Sequence, residues 1–556
     1  MNNEKNFNFD NVKPNHRSFT TKNINFQDKN DLINNEKKRQ KINFAKKSNL
    51  FISLLTVSFV IFISFNLIIT TTNVKTDYIS RNEEVLNKRG KILDKNSEIV
   101  ATSLETKDLY IDLKKYLNKR KLKESLIKIF NNKEPLFFEQ IFKKNQYVLV
   151  KKDISLSEIN KLKLLGDPAI KLHNSSKRVY PQHNIFSHIT GLKTMSISSK
   201  LEKNQNKYLS YGKDLKLTVD LRIQNIVRDE LLKSMDNYQA NSALATVMNV
   251  NTGEILSMVS LPDFNPNYPK SILPKTENNL ITEARYEMGS TLKIFNAAIA
   301  YESESNSQNE KFEISMGYQI TNEKNIKDNH IKNSFLSFDD VFSKSSNVGS
   351  VKILESLGFD LQRKFFQKVG LTEKLNINGL NVVANKLPNS WNAHSKFISY
   401  GYGISLSPIS LITAFSTLVN GGYKIQPKVI NLNQIKTKKR ILSAKTSDKI
   451  NILIQKIVNQ GTGKLAIVDG VPIGGKTGTS KKVEMGNYSE KKVITSFIGV
   501  FPANKPEFLT FVLFDEPKKN FIGASDNTGG NTAAPTFSRI VKKISPIINS
   551  NNYAKR

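Results

Sequence analysis

Two pairs of apolar strands set the tightest limit on how this chain can fold. Ala243 to Val250 and Glu254 to Ser260 are joined by Asn251-Thr252-Gly253, a turn-prone trio. Ile494 to Phe501 and Phe508 to Phe514 form the second pair. An isolated hairpin is barely stable in water, so the two pairs are expected to share one sheet. That sheet is antiparallel and is assembled from both ends of a domain. The mostly helical stretch between the pairs, about two hundred residues, becomes a body inserted into it. Leu215 to Val219 reads as a strand leading in. Apolar positions at Ile223, Ile226, Val227 and Leu231 predict a helix from about Asp220 to Met235. A helix from about Ala534 to Ile544 is expected to cover the sheet. The fold class is α+β.

The chain ahead of this domain divides by composition. Residues 1–49 are polar and rich in Asn and Lys, which predicts a disordered tail. Leu50 to Thr72 carries no charge and is dominated by Phe, Ile, Leu and Val. As a helix it spans roughly 34 Å, enough to cross a bilayer core. Lys37, Lys38, Arg39, Lys41, Lys46 and Lys47 crowd its N-terminal side, which orients the tail to the cytoplasm. A cleaved signal peptide is the competing reading; the long polar leader and the lack of a small-x-small cleavage site argue against it. Everything from residue 73 then lies outside the cytoplasm. Residues 73–213 read as a separate module. Short strands flank a turn at Arg89-Gly90-Lys91-Ile92-Leu93-Asp94-Lys95-Asn96, a charged helix follows over 119–131, and Arg178-Val179-Tyr180-Pro181 closes the module. It shows no chemistry and is expected to be a spacer or an interaction surface.

Composition removes several function classes. Cysteine is absent, so disulfides and thiol chemistry are excluded. The six histidines are scattered without metal-ligand spacing, so neither a metal nor another cofactor is expected. A formal net charge of +34 raises nucleic acid as a partner. Lys, Asn and Ile are abundant everywhere, however, and no basic stripe with interleaved aromatics stands out. A basic exterior facing anionic lipid or an anionic wall polymer is the simpler reading, with no nucleic acid bound.

Chemistry is concentrated in three short segments. The first is Glu287-Met288-Gly289-Ser290-Thr291-Leu292-Lys293, followed by the apolar run Ile294 to Ala300. On a helix, Ser290 and Lys293 share one face. A serine hydroxyl needs a base to become a nucleophile, and a lysine can be that base when a dry setting lowers its pKa. The motif alone is weak, because Ser210–Lys213 and Ser489–Lys492 repeat it in polar context. The second segment is Ser345-Ser346-Asn347, whose hydroxyl can relay a proton and whose amide can hold a peptide carbonyl or the lysine. Ser307, Ser390, Ser525 and Ser550 also begin Ser-x-Asn. The third is Lys476-Thr477-Gly478-Thr479, the one Lys-Thr-Gly of the chain. Small residues there suit a strand that a ligand approaches closely, with Lys476 and the threonine hydroxyls facing an anionic carboxylate.

The order of the three decides. Ser-x-x-Lys, Ser-x-Asn and Lys-Thr-Gly in succession resemble the penicillin-binding serine acyltransferases that act on acyl-D-Ala-D-Ala peptides. Ser525-Asp526-Asn527 matches the middle motif by letters but falls after Lys476, out of order. The resemblance extends to Leu217-Thr218-Val219-Asp220-Leu221, Thr252-Gly253-Glu254-Ile255-Leu256, Gly401-Tyr402-Gly403-Ile404, Asn420-Gly421-Gly422, Gly461-Thr462-Gly463 and Ala534-Pro535. Arg89-Gly90 with Asp94 and Asn96, then Arg178 with Tyr180-Pro181, resemble the pedestal of class B penicillin-binding proteins. The septal, cell-division transpeptidase is the nearest type; the elongation-specific relative is the alternative, and a β-lactamase or a β-lactam sensor or scaffold stands behind it.

This resemblance implies a specific architecture: a cytoplasmic tail over 1–49, one transmembrane helix over 50–72, an elongated α/β pedestal over 73–213, a transpeptidase domain over 214–545 and a tail over 546–556. It implies an inner-membrane protein of a bacterial cell with a periplasmic catalytic domain. Its expected partners are peptidoglycan stem peptides, β-lactams, the membrane, a membrane-embedded glycan polymerase and other divisome proteins. It assigns Ser290 as nucleophile, Lys293 as base and Ser345 as proton relay. Asn347, Lys476, Thr477, Gly478 and Thr479 bind substrate, with the N–H groups of Ser290 and Thr479 holding the oxyanion. Three departures bear on local geometry. Met288 stands where the family usually has proline, Ser97 replaces a usual turn glycine, and Lys193 to Ser210 lacks the usual glycine pattern before Leu201-Glu202.

Overall fold

The structure is a computed structural model and describes residues 53–66, 89–144, 146–192, 200–431, 439–484, 486–518 and 527–553. Residues 1–86 and 87–556 are two units. The described part of the first is a helix over 53–66 whose apolar side chains, Phe59 and Phe62 among them, are exposed. Among the described residues no helix is long and apolar enough to cross a membrane. Of the expected span over 50–72 only 53–66 is described, and the tail over 1–49 and residues 73–88 of the module lie outside the described residues.

The second unit contains two five-stranded sheets. The first holds β1 (Ile92–Leu93), β2 (Ile99–Asp112), β3 (Tyr147–Ile154), β4 (Ile170–Val179) and β5 (Leu215–Lys216), with helix α1 (Lys119–Ile129) between β2 and β3. The long β2 pairs with β1, β3 and β4 antiparallel, while β1 pairs with β5 in parallel. Leu109, Ile111, Leu122, Leu126, Phe130 and Phe138 make a separate core at the far end of this sheet. At its other end, Ile92 and Val100 join the main core. The expected strand over 215–219 is shorter than read. Leu217 N still donates to Leu93 O of β1 at 2.8 Å, but Thr218 N turns to the other side and donates to Val429 O at 2.9 Å, so regular pairing ends at Lys216.

An acidic side chain fixes each end of that junction. Asp94 accepts from Asn96 N (2.7 Å) and Glu98 N (2.8 Å), closing the turn, and from Leu221 N (2.9 Å) at the start of α2 (Leu221–Tyr238). Glu202, 1% exposed, receives Arg89 Nη2 at 2.5 Å and Arg178 Nε at 2.6 Å. The expected substitution site in the turn is strained: Ser97 has φ +73°, the region glycine prefers.

The second sheet brings the distant strand pairs together. β6 (Ser242–Asn249) and β7 (Ile255–Leu261) flank one side; β10 (Gly474–Glu484), β11 (Asn487–Phe501) and β12 (Phe508–Asp515) complete it. The order is β10-β11-β12-β6-β7, antiparallel throughout. Both faces are covered, which is why the strands read as nearly continuous apolar runs. Leu244, Met248, Leu509, Phe511 and Leu513 face the inserted helical body. Ala243, Ala245, Val247, Val512 and Phe514 face α2 and the last helix. The inserted body supplies α3 (Lys293–Glu302), a hairpin of β8 (Tyr318–Thr321) and β9 (Lys324–Ile326), α4 (Asn347–Leu357) and α5 (Ala444–Gln460). The last helix, α6, runs over Ala533–Tyr553, beyond the expected end at 544, with Pro546 inside it.

Candidate active site

Glycines decide where Ser290 can stand. Gly289 opens a 3-10 turn over Gly289–Leu292 that passes into α3. Its φ is +54°, and a Cβ there would lie 2.5 Å from Thr479 O on β10. Gly401, at φ +102°, presses from another side: a Cβ would lie 1.9 Å from Gly289 O, and Gly289 N donates to Gly401 O at 3.1 Å. The turn presenting Ser290 is thus clamped, backbone to backbone, between the Gly401 loop and the Lys-Thr-Gly strand. Sequence placed Ser290 and Lys293 on one α-helical face. The structure puts the pair across a 3-10 turn, whose three-residue period also stacks positions i and i+3.

Lys293 is fully buried, as the apolar run after it requires. Its Nζ donates to Ser345 O at 2.5 Å, to Asn347 Oδ1 at 2.7 Å and to Ser345 Oγ at 3.3 Å. Burial lowers its pKa from 10.5 to about 7, and the carboxylate of Asp328 opposes part of that shift. Lys476 is also fully buried and donates to Ser345 Oγ at 2.9 Å and Thr477 O at 3.2 Å. Burial, reinforced by repulsion from Lys293, holds its amine well below the ordinary lysine range. Ser345 Oγ therefore lies between two amines that burial keeps ready to exchange protons. Ser290 is half-buried, and among the described residues its Oγ makes no hydrogen bond. The Lys293 amine is thus engaged by Ser345 and Asn347, while the hydroxyl at 290 is left for a ligand.

The Ser345 segment needs support because Ser345 sits at φ +60°, a conformation unfavourable for a residue with a Cβ. Asp328 supplies it. Its carboxylate, 5% exposed, accepts from Ser346 Oγ at 2.5 Å, Asn347 N at 2.8 Å and Val348 N at 3.1 Å. Ser346 in turn caps α4 by accepting from Gly349 N. A carboxylate at a helix N-terminus is favoured by the free N–H groups there. Sequence reasoning missed Asp328. It lies about twenty residues before the motif it holds, in a polar stretch that nothing marks.

The Lys-Thr-Gly strand is at the edge of its sheet, paired on one side with β11. Gly478 lets the serine turn approach, since a Cβ there would meet Ser496 Oγ at 2.4 Å and Met288 O at 2.8 Å. Thr477 Oγ1 shares a 2.8 Å hydrogen bond with Thr462 Oγ1, and Thr479 Oγ1 accepts from Gly529 N at 3.0 Å. Thr462 and Gly529 are further wall residues to which sequence gave no role. All the residues singled out by sequence, Ser290, Lys293, Ser345, Asn347, Lys476, Thr477, Gly478 and Thr479, thus line one contiguous cluster. Ser525 and Asp526, the out-of-order match, lie outside the described residues. The arrangement has the parts for acyl transfer: an accessible hydroxyl, depressed amines, a bridging hydroxyl and an edge strand to receive an extended peptide.

Comparison with known proteins agrees with this chemistry. The model of the penicillin binding protein transpeptidase domain matches residues 243–542, and that of the penicillin-binding protein dimerisation domain matches residues 84–215. A Caulobacter vibrioides protein named probable peptidoglycan D,D-transpeptidase FtsI is 27% identical over 480 residues, covering 83% of this chain and 81% of that one. Stage V sporulation protein D of Bacillus subtilis is 28% identical over 530 residues, covering 85% and 80%. Peptidoglycan D,D-transpeptidase FtsI of Buchnera aphidicola is 26% identical over 510 residues, covering 84% and 87%.

Proposed function

Given that the chain belongs to the penicillin-binding protein transpeptidase family, we propose that it is a serine D,D-transpeptidase that cross-links peptidoglycan stem peptides at the division septum and is a target of β-lactams. The observation that carries this reading is Ser345 Oγ, set between the amines of Lys293 and Lys476 beside the turn that bears Ser290. Two relatives with FtsI in their names support the septal assignment.

The reaction is a double displacement. Neutral Lys293 takes the proton of Ser290 as Oγ attacks the penultimate D-Ala carbonyl. The N–H groups of Ser290 and Thr479 hold the oxyanion. Ser345 then hands a proton to the departing D-Ala nitrogen, leaving an ester on Ser290. Asn347 positions the donor peptide, and Lys476, Thr477 and Thr479 hold its terminal carboxylate, with Gly478 leaving room beside them. An amine from a neighbouring stem attacks the ester, the C–N cross-link forms, and Ser290 recovers its proton.

The same reading places the chain in the bacterial inner membrane through residues 50–72, with the tail over 1–49 in the cytoplasm. The pedestal over 73–213 and the transpeptidase domain over 214–545 are then periplasmic, within reach of a membrane-embedded glycan polymerase and other divisome proteins. The test is labelling of purified full-length protein by a fluorescent penicillin. A long-lived adduct that disappears in Ser290→Ala is expected; rapid turnover of the label, or none in the unaltered protein, sinks the reading. A fluorescent fusion that decorates the side wall rather than midcell sinks the septal part alone.

A further inference from the structure

We propose that Glu287, Phe397, Tyr400, Tyr402 and Tyr488 form the receiving site for the ammonium of the acceptor stem peptide, a site that Lys324 fills with its own amine. The inference rests on the transpeptidase reading and adds to it where the second substrate enters.

The four rings form a chain. Centroids lie 6.3 Å apart for Phe397 and Tyr400, 5.5 Å for Tyr400 and Tyr402, and 5.1 Å for Tyr402 and Tyr488. Lys324, at the tip of the β8–β9 hairpin, holds its Nζ 5.1 Å from the Phe397 centroid and 5.5 Å from that of Tyr488, within cation–π range. Glu287 Oε1 accepts from Gly403 N at 2.8 Å and from Tyr488 Oη at 3.1 Å. Its Oε2 is buried without a partner, and so is the hydroxyl of Tyr400. Buried polar groups are almost always satisfied, so a carboxylate oxygen and a hydroxyl oxygen left open in one aromatic cluster, both able to accept from an ammonium, point to a cationic donor.

Position links this cluster to the reaction. Glu287 precedes Ser290 by three residues, its carbonyl accepts from Ser480 Oγ at 2.6 Å beside Thr479, and Gly401 and Gly403 belong to the loop that clamps the serine turn. Lys324 is exposed, so a ligand ammonium can displace it. Transpeptidation consumes an amine that is mostly protonated at neutral pH. The extra proton must leave first, and Glu287 is the carboxylate beside the docked cation. Attack then joins nitrogen to the acyl carbon, breaks the bond to Ser290 Oγ and returns the second proton to that oxygen. Burial pushes the Glu287 carboxyl upward, which suits it to accept a proton.

The test reads how the acyl-enzyme partitions. Full-length protein is given an acyl-D-alanyl thioester as donor and a synthetic peptide with a free lysine ε-amine as acceptor, and the ratio of aminolysis to hydrolysis is measured. Each ratio is taken on the acyl-enzyme already formed, so slow acylation does not move it. Glu287→Gln and Tyr488→Leu are expected to lower the ratio at least five-fold, Tyr488→Phe to restore most of it, and Lys324→Ala to lower the half-saturating acceptor concentration several-fold. Unchanged ratios in the first two variants, or a lower ratio in Lys324→Ala, overturn the proposal. If Glu287→Gln does not fold, the Tyr488 and Lys324 variants decide. Failure of the unaltered protein to take up penicillin is a failure of the transpeptidase reading instead.

Discussion

Lys476 Nζ donates to Ser345 Oγ across 2.9 Å, although 131 residues of chain separate them. This bond joins the edge strand of the sheet to the inserted helical body, so the cleft forms only when both halves of the domain are folded. It also puts one hydroxyl in reach of two buried amines, the geometry a proton relay needs.

Removing that hydroxyl separates chemistry from folding. Ser345 has φ +60°, so Ser345→Gly deletes the proposed relay and relaxes the backbone together. Acylation by penicillin is expected to fall about 10²–10⁴-fold, with a melting temperature no lower than that of the unaltered chain. Stopped-flow acylation and a thermal melt on one sample check both.

With Lys293 as the proposed base, its depressed amine should set the pH profile. A base works when neutral, and burial brings this one to about 7. Acylation should therefore climb with pH through about 7 and level off above it. Asp328 is the nearby charge that holds the amine up, so Asp328→Asn should move the rising limb to lower pH. A limb that stays in place would show that another group controls the profile.

Gly401 tests the clamp. An alanine Cβ would lie 1.9 Å from Gly289 O, and the position has φ +102°. Gly401→Ala is expected to cost about 1–3 kcal/mol for the strained backbone alone and to abolish acylation by displacing the serine turn. Normal labelling kinetics in that variant would exclude the clamp.

The pedestal turn offers a gain. Ser97 occupies a left-handed position, φ +73°, with an exposed side chain that accepts from Lys216 Nζ. Ser97→Gly is expected to stabilise the protein by about 0.5–1 kcal/mol. A thermal melt reads the upward shift, and activity should not change.

Glu202 offers the opposite. It neutralises Arg89 and Arg178 from a site 1% exposed, so Glu202→Gln leaves two cations poorly paired. A loss of about 3 kcal/mol is expected, read as a lower melting temperature that added penicillin only partly restores.

Sequence alone determined the things that local patterning encodes. The apolar runs at 243–250, 254–260, 494–501 and 508–514 were legible as strands because each is short, apolar and bounded by turn residues. The order of three motifs around Ser290, Ser345 and Lys476 was enough to name the chemistry. Only the tertiary structure decided what depends on distance in space. It tied the amine of Lys293 to Ser345 and Asn347, set Asp328 under the second motif, and stacked Lys324 on rings from two distant segments. Those contacts join residues from about twenty to more than a hundred and fifty positions apart. No periodicity records them, because they arise from how helices and sheet pack, and packing is a property of surfaces brought together rather than of neighbours along a chain.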